Sequence, residues 1–256
     1  MKFYRIFILP FFLLLFFFGG EKLFSLEKAA GYDLYEPGIF NPLGPTLLYG
    51  NSNIKKRPYY LLAYDEEGRL LEKSFLIYNR EGRLIAEKIY NSNNQFTGEV
   101  QYTYDTFGNI IEEKYIDSQG FEIATKKRNY QNGKLIRIDF FEKGNFTFSR
   151  FYSYDKNQIV GKEKDSSFSD PFIITLENGL VKSIVFKEKN QILMEIRYKY
   201  ENGNLTERIK KSGNLYSKCV YEYDSENRIK KYTYFDQKSQ NWKKTKTIEF
   251  VYADQI

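Results

Sequence analysis

The sequence predicts an all-β protein: an antiparallel meander of tandem β-hairpins with about fifteen short strands. The strands are expected to form a twisted or spiralling sheet, and the sequence does not decide whether this sheet is partly closed. Two observations predict this fold class. The chain contains 23 Tyr and 23 Phe, and aromatic side chains favour strands. A unit made of an aromatic residue, a polar turn and an aliphatic residue also recurs from residue 59 to near the C terminus.

The turns fall into two classes, distinguished by the spacing between an aromatic or aliphatic anchor and a following Gly or Asn. In the longer class this spacing is four residues, and the anchors are Tyr64, Tyr78, Tyr90, Tyr104, Phe186, Ile209 and Tyr223. In the shorter class it is three residues, and the anchors are Tyr130, Phe141, Tyr154, Leu176 and Tyr200. Gly and Asn best tolerate a left-handed backbone, so this position is predicted to have positive φ. The longer class indicates a type I turn followed by a left-handed residue, and the shorter class a type I′ or bulged turn.

Two further features of the unit concern its turns and strand faces. An Asp at the start of a turn is predicted to accept hydrogen bonds from the turn backbone, as at Asp65, Asp105, Asp155 and Asp224. Apolar residues of one parity predict one buried and one wet face, as in the series Phe146, Phe148, Tyr152, Tyr154 and the series Ile192, Met194, Ile196, Tyr198, Tyr200. The recurring Tyr residues are therefore expected to line the core. Aliphatic pairs after the turns, such as Leu84-Ile85, do not follow from simple alternation.

The chain divides into three segments by composition. Residues 1–20 combine Lys2 and Arg5 with a short apolar run that ends in two Gly, which predicts a signal peptide or an N-terminal anchor. Residues 21–58 contain several Pro residues and are predicted to form an irregular arm that caps the first strand. Residues 59–256 form the hairpin array.

Composition removes several classes of chemistry. The chain has no His, which excludes Ser-His-Asp and Cys-His nucleophiles as well as imidazole metal ligands. The single Cys219 lies in a strand-like run and is predicted to be a buried, inert thiol. The formal charge of +6 is spread along the chain in short basic clusters whose members alternate between strand faces. A nucleic-acid partner is therefore not expected.

Candidate sites are few. Asp165 and Asp170, which flank a Ser-rich bend, are the best candidates for metal ligands in the sequence. No compact acidic run accompanies them, so no metal or cofactor is predicted. The neighbouring acids Glu66-Glu67 and Glu112-Glu113 would face opposite sides of a strand, which favours solvated charge over a glycosidase pair. The lone Trp242 is the one residue singled out for stacking on a ligand. No catalytic residue is predicted.

The strings YDEEGRLLEK, YNREGRLIAEK, YDTFGNIIEEK and YDSENRIKKYTY resemble the YD repeat of the RHS family. The resemblance covers most of residues 59–234 and is strongest at 64–115 and 200–234. It implies an exported or surface-associated β-repeat protein, with carbohydrate binding or toxin encapsulation in some members. The present array is short for encapsulation and has no separate effector domain after Tyr234, which disfavours a toxin.

These observations predict a non-catalytic binding or structural module, exported to the periplasm or outer surface of a bacterium. The expected partner is a cell-surface glycan or protein, with membrane contact only through an uncleaved leader. Two alternatives are a carbohydrate-active enzyme that uses Asp/Glu pairs and an immunity protein of a related hairpin-repeat type. The absence of His and the N-terminal leader favour the binding module.

Overall fold

The structure is a computed structural model that describes residues 57–165, 171–178, 180–189, 191–238 and 241–252. The predicted leader at 1–20, nearly all of the predicted arm at 21–58 and the candidate ligand Asp170 lie outside the described residues. The described chain enters the array at β1, which begins at Pro58.

Sixteen antiparallel strands form one closed barrel, in which each strand pairs with its neighbours in sequence and β1 pairs with β16. The strands are β1 Pro58–Tyr64, β2 Leu70–Tyr78, β3 Leu84–Asn91, β4 Phe96–Tyr104, β5 Ile110–Asp117, β6 Glu122–Gln131, β7 Lys134–Glu142, β8 Asn145–Asp155, β9 Gln158–Lys164, β10 Phe172–Glu177, β11 Leu180–Glu188, β12 Gln191–Glu201, β13 Asn204–Ser212, β14 Leu215–Tyr223, β15 Ile229–Lys238 and β16 Asn241–Tyr252. The predicted all-β meander is confirmed, and closure removes the free sheet edges that an open meander would expose.

The turn register also matches the expectation. Positive φ occurs in the longer turns at Gly68, Gly82, Asn94, Gly108 and Asn227, and at consecutive residues in the shorter turns Asn132-Gly133 and Asn202-Gly203, as a type I′ turn requires. In most of the longer turns one Asx oxygen accepts two backbone amides, as Asp65 Oδ1 does from Glu67 and Arg69 at 3.0 and 2.8 Å. The prediction was wrong for the turns after the anchors Phe186 and Ile209, which are two-residue turns because Glu188 pairs with Gln191 and Ser212 with Leu215. In the Tyr154 turn, Asn157 does not have positive φ, and Asp155 accepts only from the next residue, Lys156.

A β-bulge follows most turns and explains the aliphatic pairs. Tyr78 pairs with Leu84, whereas Ile77 pairs with Ala86, so Ile85 is the extra residue of the bulge. The bulge also corrects two parity predictions. Beyond the bulges between β7 and β8 and between β11 and β12, Phe146 and Ile192 turn outward and are 48% and 57% exposed. The extra residue of a bulge shifts the alternation of inward and outward side chains by one position, so a series of one parity keeps its face only as far as the bulge.

Tyr hydroxyls link neighbouring strands at one end of the barrel. At one end, called here the tyrosine end, the Tyr that closes an even-numbered strand donates its hydroxyl to a backbone carbonyl at the start of the preceding strand. These bonds join Tyr78 to Pro58, Tyr104 to Leu84, Tyr130 to Ile110, Tyr154 to Leu135, Tyr223 to Leu205 and Tyr252 to Ile229, at 2.6–3.1 Å. Each bond closes the open end of a hairpin, where no turn connects the two strands.

Basic residues at the tyrosine end cover the same rings. The guanidinium of Arg83, in the turn before β3, lies 5.7 Å from the ring centre of Tyr104, and that of Arg228 lies 4.4 Å from the ring of Tyr252. This contact gives the Arg after the turn glycine or asparagine a structural role, because the Arg that precedes a hairpin stacks on the Tyr that ends the same hairpin.

Side chains fill the interior of the barrel. Inward-facing residues on strands around the barrel are almost fully buried, including Leu84, Ile138, Phe172, Ile184, Met194, Cys219, Tyr232 and Ile248. Charged groups are buried with them: Arg150 and Glu163 have fully buried side chains joined at 3.0 Å, and the Arg150 guanidinium lies 4.7 Å from the ring centre of Phe140. Because the interior is occupied, the outer face of the sheet is the surface on which a large ligand finds space.

Candidate ligand site on the outer face

The sheet register places two rows of side chains on the outer face of β12 to β16. The first row, crossing the five strands in order, is Arg197, Ile209, Lys218, Phe235 and Lys244. The second row, nearer the end opposite the tyrosine end, is Glu195, Lys211, Tyr216, Gln237 and Trp242. We call these ten residues the outer patch. Their inward neighbours, such as Ile196, Cys219 and Tyr234, are buried, which fixes the outward direction of both rows.

A depression of about 540 Å³ lies in the outer patch, lined by Glu195, Arg197, Ile209, Lys211, Tyr216, Gln237 and Trp242. Trp242 is 36% exposed, so part of its indole remains open to solvent while the rest packs on the sheet. Aromatic rings beside a few polar groups in a concave surface are the usual composition of a small-ligand site. The residue singled out from sequence therefore lies in a formed depression.

Cations lie directly beside the aromatic rings of the patch. The Lys218 Nζ is 4.7 Å from the ring centre of Trp242 and 5.1 Å from that of Phe235. The Lys211 Nζ lies 5.4 Å from the ring centre of Tyr216. These lysines border the rings with positive charge, and at a largely exposed site the contacts stabilise the patch by about 0.5–1 kcal/mol each.

Glu195 is the single carboxylate among the ten residues. Its Oε1 accepts from the Arg197 Nε at 2.8 Å, and this hydrogen bond together with the charge of Glu195 raises the pKa of Arg197 above its ordinary value. The pair presents both hydrogen-bond donors and acceptors at one wall of the depression. Four positive side chains and one negative side chain leave the patch with a net positive charge.

The local backbone explains why Trp242 faces outward. It is the second residue of β16, and a bulge between β15 and β16 makes Tyr234 pair with Lys246 but Phe235 with Lys244. Phe235 and Lys244 thereby join the outer face, while Tyr234 stays inside. Sequence reasoning found Trp242 because it is the lone Trp. It missed Tyr216, Arg197 and Lys218, whose proximity depends on the cross-strand register.

The carboxylate pairs named from sequence do not form a catalytic arrangement. Glu113 faces the interior and bonds Arg128 at 2.6 Å, whereas Glu112 faces outward near Lys114. Glu66 and Glu67 lie in an exposed turn, where Glu66 contacts Lys243 at 2.5 Å. Neither pair places two carboxylates across a cleft. In the basic run of β6, Lys126 and Arg128 face inward and Lys127 faces outward, as expected for neighbouring residues in a strand.

Two other carboxylates are buried inside the barrel. Burial raises the pKa of Glu72 to about 7, against the attraction of Lys246. The side chain of Glu87 is fully buried, and burial raises its pKa well above the ordinary range. The Ser74 hydroxyl is close enough to oppose that rise, but neither Glu87 oxygen makes a hydrogen bond of normal geometry within the described chain. These groups are enclosed and are not accessible to a large substrate.

The remaining candidate positions are structural. Cys219 is fully buried, and burial raises the pKa of its thiol to about 12, which keeps it protonated at neutral pH. Asp165 has a φ of 66° at the end of β9, and the described residues contain no group of three or more Asp, Glu or Cys side chains arranged to hold a metal ion. Across the same described ranges, no helix is long and apolar enough to cross a membrane.

No protein-family model matches the chain, and no curated protein matches it. Among solved structures, the chain is similar to a porin-like protein from Bacteroides uniformis, with 11% sequence identity and a TM-score of 0.39, over 76% of this chain and 96% of that one. A likeness at this level supports no inference about function.

Proposed function

We propose that this protein is an exported, non-catalytic β-barrel that binds a saccharide on its outer patch. The observation that carries the proposal is the half-exposed Trp242 in a depression that also holds Tyr216, Gln237 and the Glu195–Arg197 pair. Aromatic rings stack on the apolar face of a sugar, while amide, carboxylate and guanidinium groups pair with its hydroxyls. The described surface offers both kinds of contact within one depression.

Export is part of the proposal and rests on the leader-like residues 1–20. The outer face of the array suits an aqueous compartment, because charged side chains such as Lys127, Lys162 and Lys199 occupy exposed outward positions on its strands. A barrel embedded in lipid would present an apolar band there. Cell fractionation checks this element: recovery of the protein in the cytosolic fraction would contradict export.

A binding measurement with matched aromatic variants tests the saccharide site. The purified protein is screened on a glycan array, and the best ligand is titrated against Trp242→Ala and Phe151→Ala. Phe151 is the matched control, because it is 39% exposed on the outer face of β8 and contacts Arg137 in the same cation–π manner. We expect Trp242→Ala to weaken binding by about 1–3 kcal/mol, in line with stacked aromatic contacts, and Phe151→Ala to leave it unchanged. Equal losses in both variants would contradict the site.

The enzyme alternative has its own test. A carbohydrate-active enzyme built on acid pairs needs two carboxylates on either side of the scissile bond, and the outer patch provides only Glu195. We therefore expect the saccharide that binds to be recovered intact after prolonged incubation. Release of reducing ends that disappears in Glu195→Gln would show catalysis and overturn the non-catalytic part of the proposal.

A further inference from the structure

The first row of the outer patch has a regular alternation of charge. Its order across the sheet is Arg197, Ile209, Lys218, Phe235 and Lys244, so a cation stands on every second strand with an apolar residue between. Adjacent strands are about 4.8 Å apart, so successive cations are separated by roughly 10 Å along a line perpendicular to the strands. This spacing is set by the sheet and applies to the Cα atoms of the row; the Lys218 Nζ itself reaches toward the rings of Phe235 and Trp242.

We propose that the ligand is an acidic saccharide whose negative charges recur on every second sugar, lying across β12 to β16 along this row. The inference rests on the proposed saccharide function and specifies its ligand class. A sugar residue in an extended β-linked chain advances the chain by about the distance between neighbouring strands. Acidic groups on alternate sugars then meet Arg197, Lys218 and Lys244, while the sugars between them lie over Ile209 and Phe235.

The second row supports the same orientation. Trp242 and Tyr216 lie on β16 and β14, two strands apart, each beside a lysine of the patch. Stacking on these rings places a sugar against the lysine ammonium groups, where a carboxylate or sulfate group on the ligand gains a charge-assisted hydrogen bond. Arg197 is already bonded to Glu195, so Lys218 and Lys244 are the cations that the ligand engages most directly.

The charge surrounding the patch does not cancel it. On the tyrosine-end side, the next outward residues of β12 and β13 are Lys199 and Glu207, which are neighbours in the register. Lys199 is ion-paired with Glu201 at 2.8 Å, so this side adds no positive charge to the patch. Further along, Lys231 is paired with Glu222 at 3.2 Å. Asp236 lies on the inward parity of β15 beside Ser217 in the register. The positive charge is therefore concentrated on the row and its neighbour Lys211.

The test compares three hexasaccharides on the whole purified protein: a neutral cellohexaose, a hexagalacturonate with a charge on every sugar, and a hexasaccharide of alternating glucuronate and N-acetylglucosamine. We expect the alternating hexasaccharide to bind about tenfold more tightly than the neutral one, since each exposed ion pair contributes a few-fold. Raising the salt concentration should weaken binding of the acidic hexasaccharides and leave the neutral one nearly unchanged.

Variants locate the effect on the row. Lys218→Gln and Lys244→Gln should each lower the affinity for the alternating hexasaccharide about threefold, and the double variant about tenfold, in each case a larger loss than the same variant shows for the neutral hexasaccharide. Lys162→Gln, an exposed outward lysine on β9, is the control and should change neither. Unchanged thermal melting of each variant checks that the fold is retained.

The possible outcomes distinguish the inference about an acidic ligand from the proposed saccharide binding on which it rests. Equal binding of neutral and acidic hexasaccharides would overturn the charge inference and leave saccharide binding in place. Tighter binding of hexagalacturonate than of the alternating hexasaccharide would overturn the two-strand spacing. Failure of every saccharide to bind would overturn the proposed function itself. Lys218-dependent binding of phosphatidylglycerol vesicles without saccharide binding would assign the patch to a membrane surface and overturn both.

Discussion

At the residue scale, the fixed Gly or Asn in each long turn is a backbone requirement. Gly68 has a φ of +83°, and a side chain added there would meet no atom within 4 Å, so only the left-handed backbone resists substitution. Gly82 has a similar φ, but a side chain there would also collide with the Arg57 guanidinium. Gly68 is therefore the position at which the backbone effect is isolated.

Replacing Gly68 with Val should lower the free energy of unfolding by about 1–2 kcal/mol, because a β-branched residue is strained at positive φ. Gly68→Asn should cost much less, since Asn occupies the equivalent position at Asn94 and Asn227. Urea unfolding of the two variants measures the difference. Equal stability of both variants would mean that this turn does not require a left-handed residue.

At the element scale, the Tyr residues join hairpins that the turns leave open. Tyr104 illustrates this with a hydroxyl that donates to the Leu84 carbonyl at 2.6 Å and a ring that stacks on the Arg83 guanidinium. The hydroxyl is partly buried, and burial raises the pKa of Tyr104 above the ordinary value against the opposing charge of Arg83. The hydroxyl therefore remains a hydrogen-bond donor throughout the neutral pH range.

Tyr104→Phe should destabilise the barrel by about 0.5–1.5 kcal/mol, because it removes one hydrogen bond and leaves the carbonyl of the buried Leu84 without this donor. Tyr59→Phe is the control, since Tyr59 is 49% exposed. Thermal or urea unfolding gives the two differences. A Tyr104→Phe protein as stable as Tyr59→Phe would show that the hydroxyl ladder adds nothing measurable.

At the scale of the whole molecule, charges sealed inside the barrel make its stability depend on pH. Glu113 titrates in the opposite direction from Glu72, because Lys126, Arg128 and the Tyr115 hydroxyl outweigh burial and lower its pKa to about 2. Its contribution to stability is present above the pKa of an unfolded Glu and is lost as the pH falls toward 2. Glu72 has a raised folded-state pKa, so its contribution is present below the unfolded pKa and is lost as the pH rises.

The free energy of unfolding should therefore fall as the pH rises through the interval from the unfolded Glu pKa of 4.5 to about 7, the folded-state pKa of Glu72. Glu72→Gln should reduce this slope but not abolish it, because the buried Glu87 also has a raised pKa. Between pH 4 and pH 8 the variant should gain stability relative to wild type by an amount on the order of 3 kcal/mol at most. Urea unfolding across this pH range measures both. A wild-type slope that survives unchanged in Glu72→Gln would contradict the assignment to this carboxyl.

The sequence predicted the strands and the turn backbone, because those follow from local chemistry repeated along the chain. The recurring Tyr residues were predicted to line the core, but most of the described ones are only partly buried, and fully enclosed examples such as Tyr232 are a minority. Closure through the β1–β16 pairing was left open, since no local pattern near Pro58 or Tyr252 indicates its partner strand. The outward direction of Phe146 and Ile192 was wrong because bulges shift the alternation by one residue. Trp242 was identified by its chemistry, but its neighbours in the patch are set by the register of five strands.

The lone Trp of the chain lies in the proposed site, so its fluorescence reports directly on the central claim that the outer patch binds a saccharide. The measurement is a titration of the purified protein with the alternating acidic hexasaccharide while Trp242 emission is followed. We predict a saturable change in emission that weakens in Lys218→Gln and persists in Lys162→Gln. Trp242 emission that stays constant while a saccharide is shown to bind by calorimetry would contradict the account, because the ligand would then occupy another surface.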